Sequence, residues 1–412
     1  MRKPTLLLIA ALLMFFIYVS VLLNVNTKDE QQFSFMANSF LHGKLYFLEK
    51  PGNWYDSTMY QGKVYWPLGL SPVLLLVPFV AVFNLFGQMF YQGYLQIFLT
   101  GGIFYMAYRL AKRYKYNHED SLWLAFAFCF ASVYAIIALI PWGWYFAQAI
   151  VVFFTFLAIT EWHGRKRYWL IGIYYAVIVA SRFTGVIGLL FFAADLLIRK
   201  KKLHRKELVS NVLALGIPVV LSGLCLLWYN TARFGNPFDN GYMGINNWTI
   251  PIERRFETLN YGLFQIRNIP MNIYYYFIKT VDPVLVDHYG DFGQTFILKP
   301  PYIKLSYPGT SFFVSAPIFL YIFSAIKKKI KTREVWLALI PTVTTLTILM
   351  FYYWPGWRQV GPRYTADFLP FTYLILLFAF RKNTLGLFPK LLIAASAILD
   401  FYLFFYAVKI PV

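Results

Sequence analysis

The sequence predicts an all-α polytopic membrane protein, and three observations carry that prediction. Apolar residues make up 59% of the chain and charged residues only 14%, well away from ordinary soluble usage. Apolar runs of about 20 residues recur along the length, enough for helices to span a bilayer core of roughly 30 Å. The basic residues, which give a formal net charge of +20, sit in short clusters between those runs. Such clusters are cytoplasmic anchors and contacts for membrane lipids, so nucleic acid is excluded as the partner.

Twelve apolar runs fall near 5–23, 67–87, 90–108, 120–140, 144–160, 169–181, 184–198, 208–230, 311–326, 335–353, 364–380 and 388–408. The first follows Met1-Arg2-Lys3 but lacks a small-residue cleavage site, and reads as an uncleaved helix. If all twelve crossed, the clusters from Arg109 onward would lie outside. The run 67–87 opens Trp66-Pro67-Leu68-Gly69-Leu70-Ser71-Pro72 and carries Pro78. Prolines free backbone groups that lipid cannot satisfy, so this run is expected to be re-entrant or in-plane on the outer face. Eleven crossings remain, with the N-terminus cytoplasmic and the C-terminus extracytoplasmic. Cytoplasmic segments then hold 23 of the 38 Lys and Arg, which decides the orientation.

The whole chain, 1–412, reads as one transmembrane domain with two large outer loops, about 24–89 and about 231–310. Ten of the 18 acidic residues fall in them, so chemistry is expected outside. Cys129 and Cys225 lie inside apolar runs and read as packing residues.

Asp29 and Glu30 directly follow the first run. Phe33, Met36, Ala37, Phe40 and Leu41 then fall at helical spacing, predicting an amphipathic helix on the membrane surface, with the two acids at its start as possible caps. His42 closes that segment, and Asp56 begins the stretch that leads through Lys63 and Tyr65 into the proline-rich run. Lysine and aromatic rings at headgroup depth suit either an anionic lipid head or an ordinary aromatic belt. Arg358 and Arg363 lie at an outer helix boundary against the charge trend, followed by Tyr364. Their forks suit a phosphate, although an Arg363–Asp367 pair at i, i+4 accounts for one of them structurally. Arg182 ends another outer-facing helix. In the second loop Asp282, Asp287, His288 and Asp291 could hold a hard cation or simply serve turns. Asp400, in the last run, has no evident partner. No phosphate-binding glycine loop or zinc-helix motif appears.

The ordered set resembles the GT-C superfamily of membrane glycosyltransferases, in the branch of protein O-mannosyltransferases and aminoarabinose transferases. It comprises Asp29-Glu30, then Asn38 to Leu45, then Gly62-Lys63-Val64-Tyr65-Trp66-Pro67, Ser181-Arg182, and Gly361-Pro362-Arg363-Tyr364 through Asp367 to Pro370. It covers most of 20–200 and 355–380.

The resemblance implies inverting transfer of a sugar from a polyprenyl-phosphate donor to a glycan, lipid or protein acceptor outside a bacterial cytoplasmic membrane. Asp29 would be the general base beside Glu30. Arg363, Arg182 and Lys63, in that order, would stabilise the departing phosphate, with Tyr65, Arg358, Tyr364, Asp56 and His42 lining the substrate site. Relatives often carry an acid or histidine in the loop matching Ile140 to Gln148, and this chain has none there. A divalent metal is therefore left open. The competing function is a transporter or flippase of lipid-linked saccharides, for which Asp400 would matter. A non-catalytic scaffold is the third reading.

Overall fold

In the computed structural model, which describes residues 2–49, 56–200, 204–244, 260–290 and 293–408, every apolar run becomes helical, but several are broken. The helices are α1 (Arg2–Asn26), α2 (Gln32–Leu41), α3 (Leu70–Asn84), α4 (Gln92–Arg113), α5 (His118–Phe130), α6 (Ala135–Leu139), α7 (Gly143–His163), α8 (Tyr168–Val179), α9 (Leu189–Arg199), α10 (Arg205–Phe234), α11 (Tyr321–Lys329), α12 (Arg333–Phe351), α13 (Leu369–Leu376) and α14 (Leu387–Val408). Among the described residues five helices are long and apolar enough to cross a membrane: Pro4–Asn26 within α1, and α7, α10, α12 and α14. The chain is a predominantly helical membrane protein.

Some of the other runs are interrupted, two of them where the backbone is enclosed by protein. The run 120–140 is α5 and α6 with a break at 131–134, where the Ser132 hydroxyl donates to the Phe128 carbonyl and accepts from the Tyr134 amide. Residues 119–152 include an almost unbroken stretch of buried side chains. Irregular backbone survives at membrane depth only in such surroundings. The run 364–380 likewise starts as a 3-10 turn, Arg363–Asp367, before α13. The α3 helix has 15 residues, about 22 Å at 1.5 Å per residue, shorter than the bilayer core.

Burial separates the helices. The apolar window of α7 is 78% buried and that of α10 only 11%, so α7 is a central stave and α10 presents its apolar side outward. Two sequence expectations change here. The apolar face of α2 does not rest on lipid: Phe33, Met36 and Ala37 are fully buried, Phe33 edge-on to Trp66. The acids do not cap α2 either, since it starts at Gln32 with no acid in its first turn. Asp29 and Glu30 form the preceding turn, with Glu30 at φ 55°.

Several acids at the end that the sequence designates as cytoplasmic are paired. Lys390 meets Glu119 at 2.6 Å and Asp120 at 2.9 Å, tying α14 to α5. Asp195 is held by Arg333 and by Tyr168 at 3.2 Å, with Arg199 at 4.0 Å. Arg333 on α12, rather than the near neighbour Arg199, is therefore its main counter-charge. Asp400 accepts from the Ser315 hydroxyl at 3.1 Å, a partner 85 residues away.

The two long segments, about 24–89 and about 231–310, carry two antiparallel hairpins, β1 (Thr58–Tyr60) with β2 (Lys63–Tyr65), and β3 (Asp282–Gly290) with β4 (Gly293–Lys304). The second is exposed along nearly all its length. Among its described residues none is fully buried, so burial imposes no two-residue alternation on it. Asp282 closes its base, accepting from Lys279 and from Ser306 N and Oγ at 3.0 and 2.6 Å. Asp291 and the His288 side chain lie outside the described residues. Among the described residues no three His, Cys, Asp or Glu side chains gather to hold a metal ion.

Candidate active site

Close backbone packing fixes the segments in and around the site. The first turn of α3 sits on the end of α8: Ser71 N donates to Ala180 O at 3.0 Å and Ser71 Oγ to Val177 O at 3.0 Å. Gly69 allows this, because a Cβ there would stand 2.3 Å from the carbonyls of Ala180 and Ser181. The Glu30 turn is fastened to α7 by Gly143 N donating to Glu30 O at 3.0 Å. A Cβ at Gly143 would strike Gln32 and Trp66, so this junction also needs glycine. Arg363 is held by its main chain: Gln148 Nε2 donates to Arg363 O at 2.9 Å, and Arg363 N donates to Gln359 Oε1 at 3.1 Å. Gln359 is itself clamped to Pro308 O and Pro355 O.

The α3–α8 junction and the Arg363 segment, with α10, border a cavity of about 810 Å³, within the usual range for a small-molecule site. Its two ends differ. One wall is apolar, with Leu68, Phe183, Val220 and Leu224, next to the outward side of α10. Phe183 is 77% and Leu224 55% exposed, which opens that wall to the surface that would face lipid. The other end is polar and aromatic: Asp56, Arg182, Arg358, Arg363, Tyr242, Tyr352 and Trp144.

The three arginines differ in what occupies their forks. Arg182 is engaged by Asp367, through Nε to Oδ1 at 3.0 Å and Nη2 to Oδ2 at 3.3 Å, and Thr184 donates to the same carboxylate. The expected Arg363–Asp367 pair is absent, because residues 363–367 form a 3-10 turn. Three residues per turn puts i and i+4 on different faces. Arg363 is buried to 7% exposure, and its Nε and Nη1 find no hydrogen-bond partner among the described residues. It lies instead over the rings of Trp144, Tyr145 and Tyr364, at 5.5, 5.5 and 5.1 Å. Arg358 lies over Trp142 at 5.0 Å, and the Tyr145 hydroxyl donates to its carbonyl. The loop 140–148, which lacks the acid or histidine of the resembled family, thus supplies aromatic faces that hold cations.

The acids of the first outer loop divide in the same way. Asp29 is exposed and does not line the cavity. Glu30 is half-buried and accepts from Gln32. Burial lifts its carboxyl to about 7, with Asp56 adding repulsion while Gln32 and Arg358 pull back. Asp56 lines the cavity at φ 64°. Burial raises its pKa above the usual carboxylate range, against the opposing pull of Arg363 and Arg358.

Other expected site residues stand away from the cavity lining. Lys63 is exposed on β2, 4.7 Å over the Tyr46 ring. Tyr65 is buried against Phe234. His42 is exposed, with Nδ1 2.9 Å from Asn38 O. The sequence reading missed Arg233, whose Nη1 donates to Trp66 O at 2.8 Å. It also missed the tyrosines Tyr242 and Tyr352, hydroxyl to hydroxyl at 2.6 Å. Their signal, scattered aromatics in the outer loops, is too common to single them out.

The sequence matches no known family model and no curated protein. Two solved structures are similar over nearly the whole chain. One is the crystal structure of the Archaeoglobus fulgidus oligosaccharyltransferase in the apo form, 13% identical, covering 99% of this chain and 56% of that one, with a TM-score of 0.49. The other is the archaeal oligosaccharyltransferase from Archaeoglobus fulgidus in complex with an inhibitory peptide and a dolichol-phosphate, also 13% identical, covering 96% and 55%, with a TM-score of 0.45. This chain spans little more than half of those chains. Likeness at this level decides neither fold family nor activity.

Proposed function

We propose that this protein is a GT-C-type glycosyltransferase that moves a sugar from a polyprenyl-phosphate donor to an extracytoplasmic glycan, lipid or protein acceptor. The observation that carries the reading is the guanidinium of Arg363, whose Nε and Nη1 have no hydrogen-bond partner among the described residues, buried in a cavity that also has an apolar wall open beside α10. A buried cation without a hydrogen-bonded counter-ion is costly. A phosphate would complete it with charge-assisted bonds, and an isoprenoid tail would match the apolar wall. The donor then needs no nucleotide-binding fold, in keeping with its absence from the sequence.

In this reading Arg363 stabilises the charge on the phosphate as its bond to the anomeric carbon breaks. Arg358 adds to the field, and Arg182 with Asp367 forms a structural pair bordering the site. The acceptor oxygen attacks the opposite face of the sugar, inverting it, as a carboxylate of the first outer loop takes its proton. Eleven crossings with the N-terminus inside put this cavity on the extracytoplasmic side, in keeping with the cytoplasmic basic clusters. The flippase alternative is weakened because Asp400 is tied to Ser315 and does not line the cavity.

The test is glycan profiling of the native host deleted for this protein and complemented with wild type or Arg363→Gln. Wild type should restore a product that the variant, present at equal level in the membrane, does not. Full restoration by Arg363→Gln would refute the reading.

A further inference from the structure

Three acids of the first outer loop could receive the acceptor proton, and the resembled family directs attention to the first. The structure separates them by position. Asp29 is exposed and outside the cavity lining. Glu30 is outside the lining as well, and its carboxylate accepts from Gln32. Asp56 is the only carboxylate among the described residues that line the cavity, and it shares that space with Arg358 and Arg363.

The backbone supports this placement. Asp56 adopts φ 64°, a left-handed conformation that aspartate tolerates better than most residues and that recurs where a side chain must be aimed. The next residues are fixed in the protein: Ser57 and Thr58 are buried, and Thr58 Oγ1 donates to Gly241 O. A Cβ on Gly244 would stand 2.7 Å from the Thr58 methyl, so the segment 241–244 seats closely on β1. Tyr242, in that segment, lines the same cavity. Asp56 is thus followed by a well-anchored segment and lines the cavity within electrostatic reach of Arg358 and Arg363.

Resting on the transferase reading above, we propose that Asp56, rather than Asp29 or Glu30, is the general base of the transfer. Asp56 removes the proton from the acceptor hydroxyl while that oxygen forms a bond to the anomeric carbon. The bond from that carbon to the phosphate oxygen breaks, and its electron pair leaves on the polyprenyl phosphate beside Arg363. The proton held by Asp56 passes to solvent after the glycosylated acceptor departs. Burial makes Asp56 more basic than a free aspartate, with Arg363 and Arg358 pulling the other way.

The experiment compares Asp56→Asn, Asp56→Glu and Asp29→Asn in two measurements. One is complementation of the deletion strain read by glycan profile. The other is binding of undecaprenyl phosphate by the purified protein, read by quenching of the tryptophans that line the cavity, Trp144, Trp354 and Trp357. Asp56→Asn should lower product by about a hundredfold or more. It should bind undecaprenyl phosphate as well as wild type or better, because a carboxylate near Arg363 is gone. Asp56→Glu should restore part of the output, and Asp29→Asn should retain most of it. Melting temperature and elution volume identify a variant that has merely failed to fold. The assignment falls if Asp56→Asn keeps wild-type output, if it loses binding and output in parallel, or if Asp29→Asn alone is inactive. If wild-type protein neither binds undecaprenyl phosphate nor changes the glycan profile, the transferase reading fails and this assignment fails with it.

Discussion

The two ends of the helical bundle treat charge differently. At the end assigned to the cytoplasm, buried or half-buried acids meet cations directly: Lys390 bridges Glu119 and Asp120, Arg333 holds Asp195, and Arg167 meets Glu161 at 2.8 Å. At the other end Arg363 has two N–H groups without a hydrogen-bond partner among the described residues, and burial raises the Glu30 carboxyl to about 7. Paired charges cross-link helices. An arginine fork left incomplete in a cavity, as at Arg363, is unfavourable for the fold and suits a ligand of opposite sign. Arg182 belongs with the first group although it lies in the second region, since Asp367 has taken its fork.

That contrast can be broken by substitution. Lys390→Met should have the largest effect on stability, about 3–5 kcal/mol, because it leaves Glu119 and Asp120 close together without their cation. Denaturation in detergent would show the loss, and activity per folded molecule should be unchanged. Arg363→Gln should do the reverse, lowering transfer by about a hundredfold, as loss of one charge-stabilising donor does. Its melting temperature should match wild type or exceed it. A large loss of stability in Arg363→Gln would mean that its charge is already compensated, and the comparison would collapse.

Glu30 gives a pH test. Its folded pKa of about 7 lies above the ordinary 4.5, so the folded state retains a proton that the unfolded chain has lost. Stability should therefore fall as pH rises from about 4.5 to about 7 and be level above that. Glu30→Gln should flatten this slope and raise the melting temperature at pH 8, as read by melting curves across the range. The smallest effect is expected for Tyr145→Phe. Its hydroxyl donates to Arg358 O, and losing one such bond should cost about 1 kcal/mol. The ring under Arg363 stays, so undecaprenyl phosphate binding should be within about threefold of wild type, the standing spread of such single-contact effects.

Much of the frame was legible in the chain. The apolar runs became helices because their lengths and composition leave no other way to satisfy a backbone in lipid. Arg358 and Arg363 stood out because they break the charge trend, and both line the cavity. Lys63, Tyr65 and His42 shared a neighbourhood in sequence with Asp56, yet the β1–β2 turn and the end of α2 carry them away from the lining. Three-residue strands leave little pattern to read.

The sequence by itself determined which segments are helical and which end is basic, because hydropathy and charge act locally along the chain. Only the tertiary structure decided which arginine is unpartnered and which acid enters the cavity. Asp367 lies 185 residues from Arg182 but 4 from Arg363, and the near pairing is the one that did not form. The 3-10 turn at 363–367 keeps that near pair apart, through backbone geometry that no local pattern encodes.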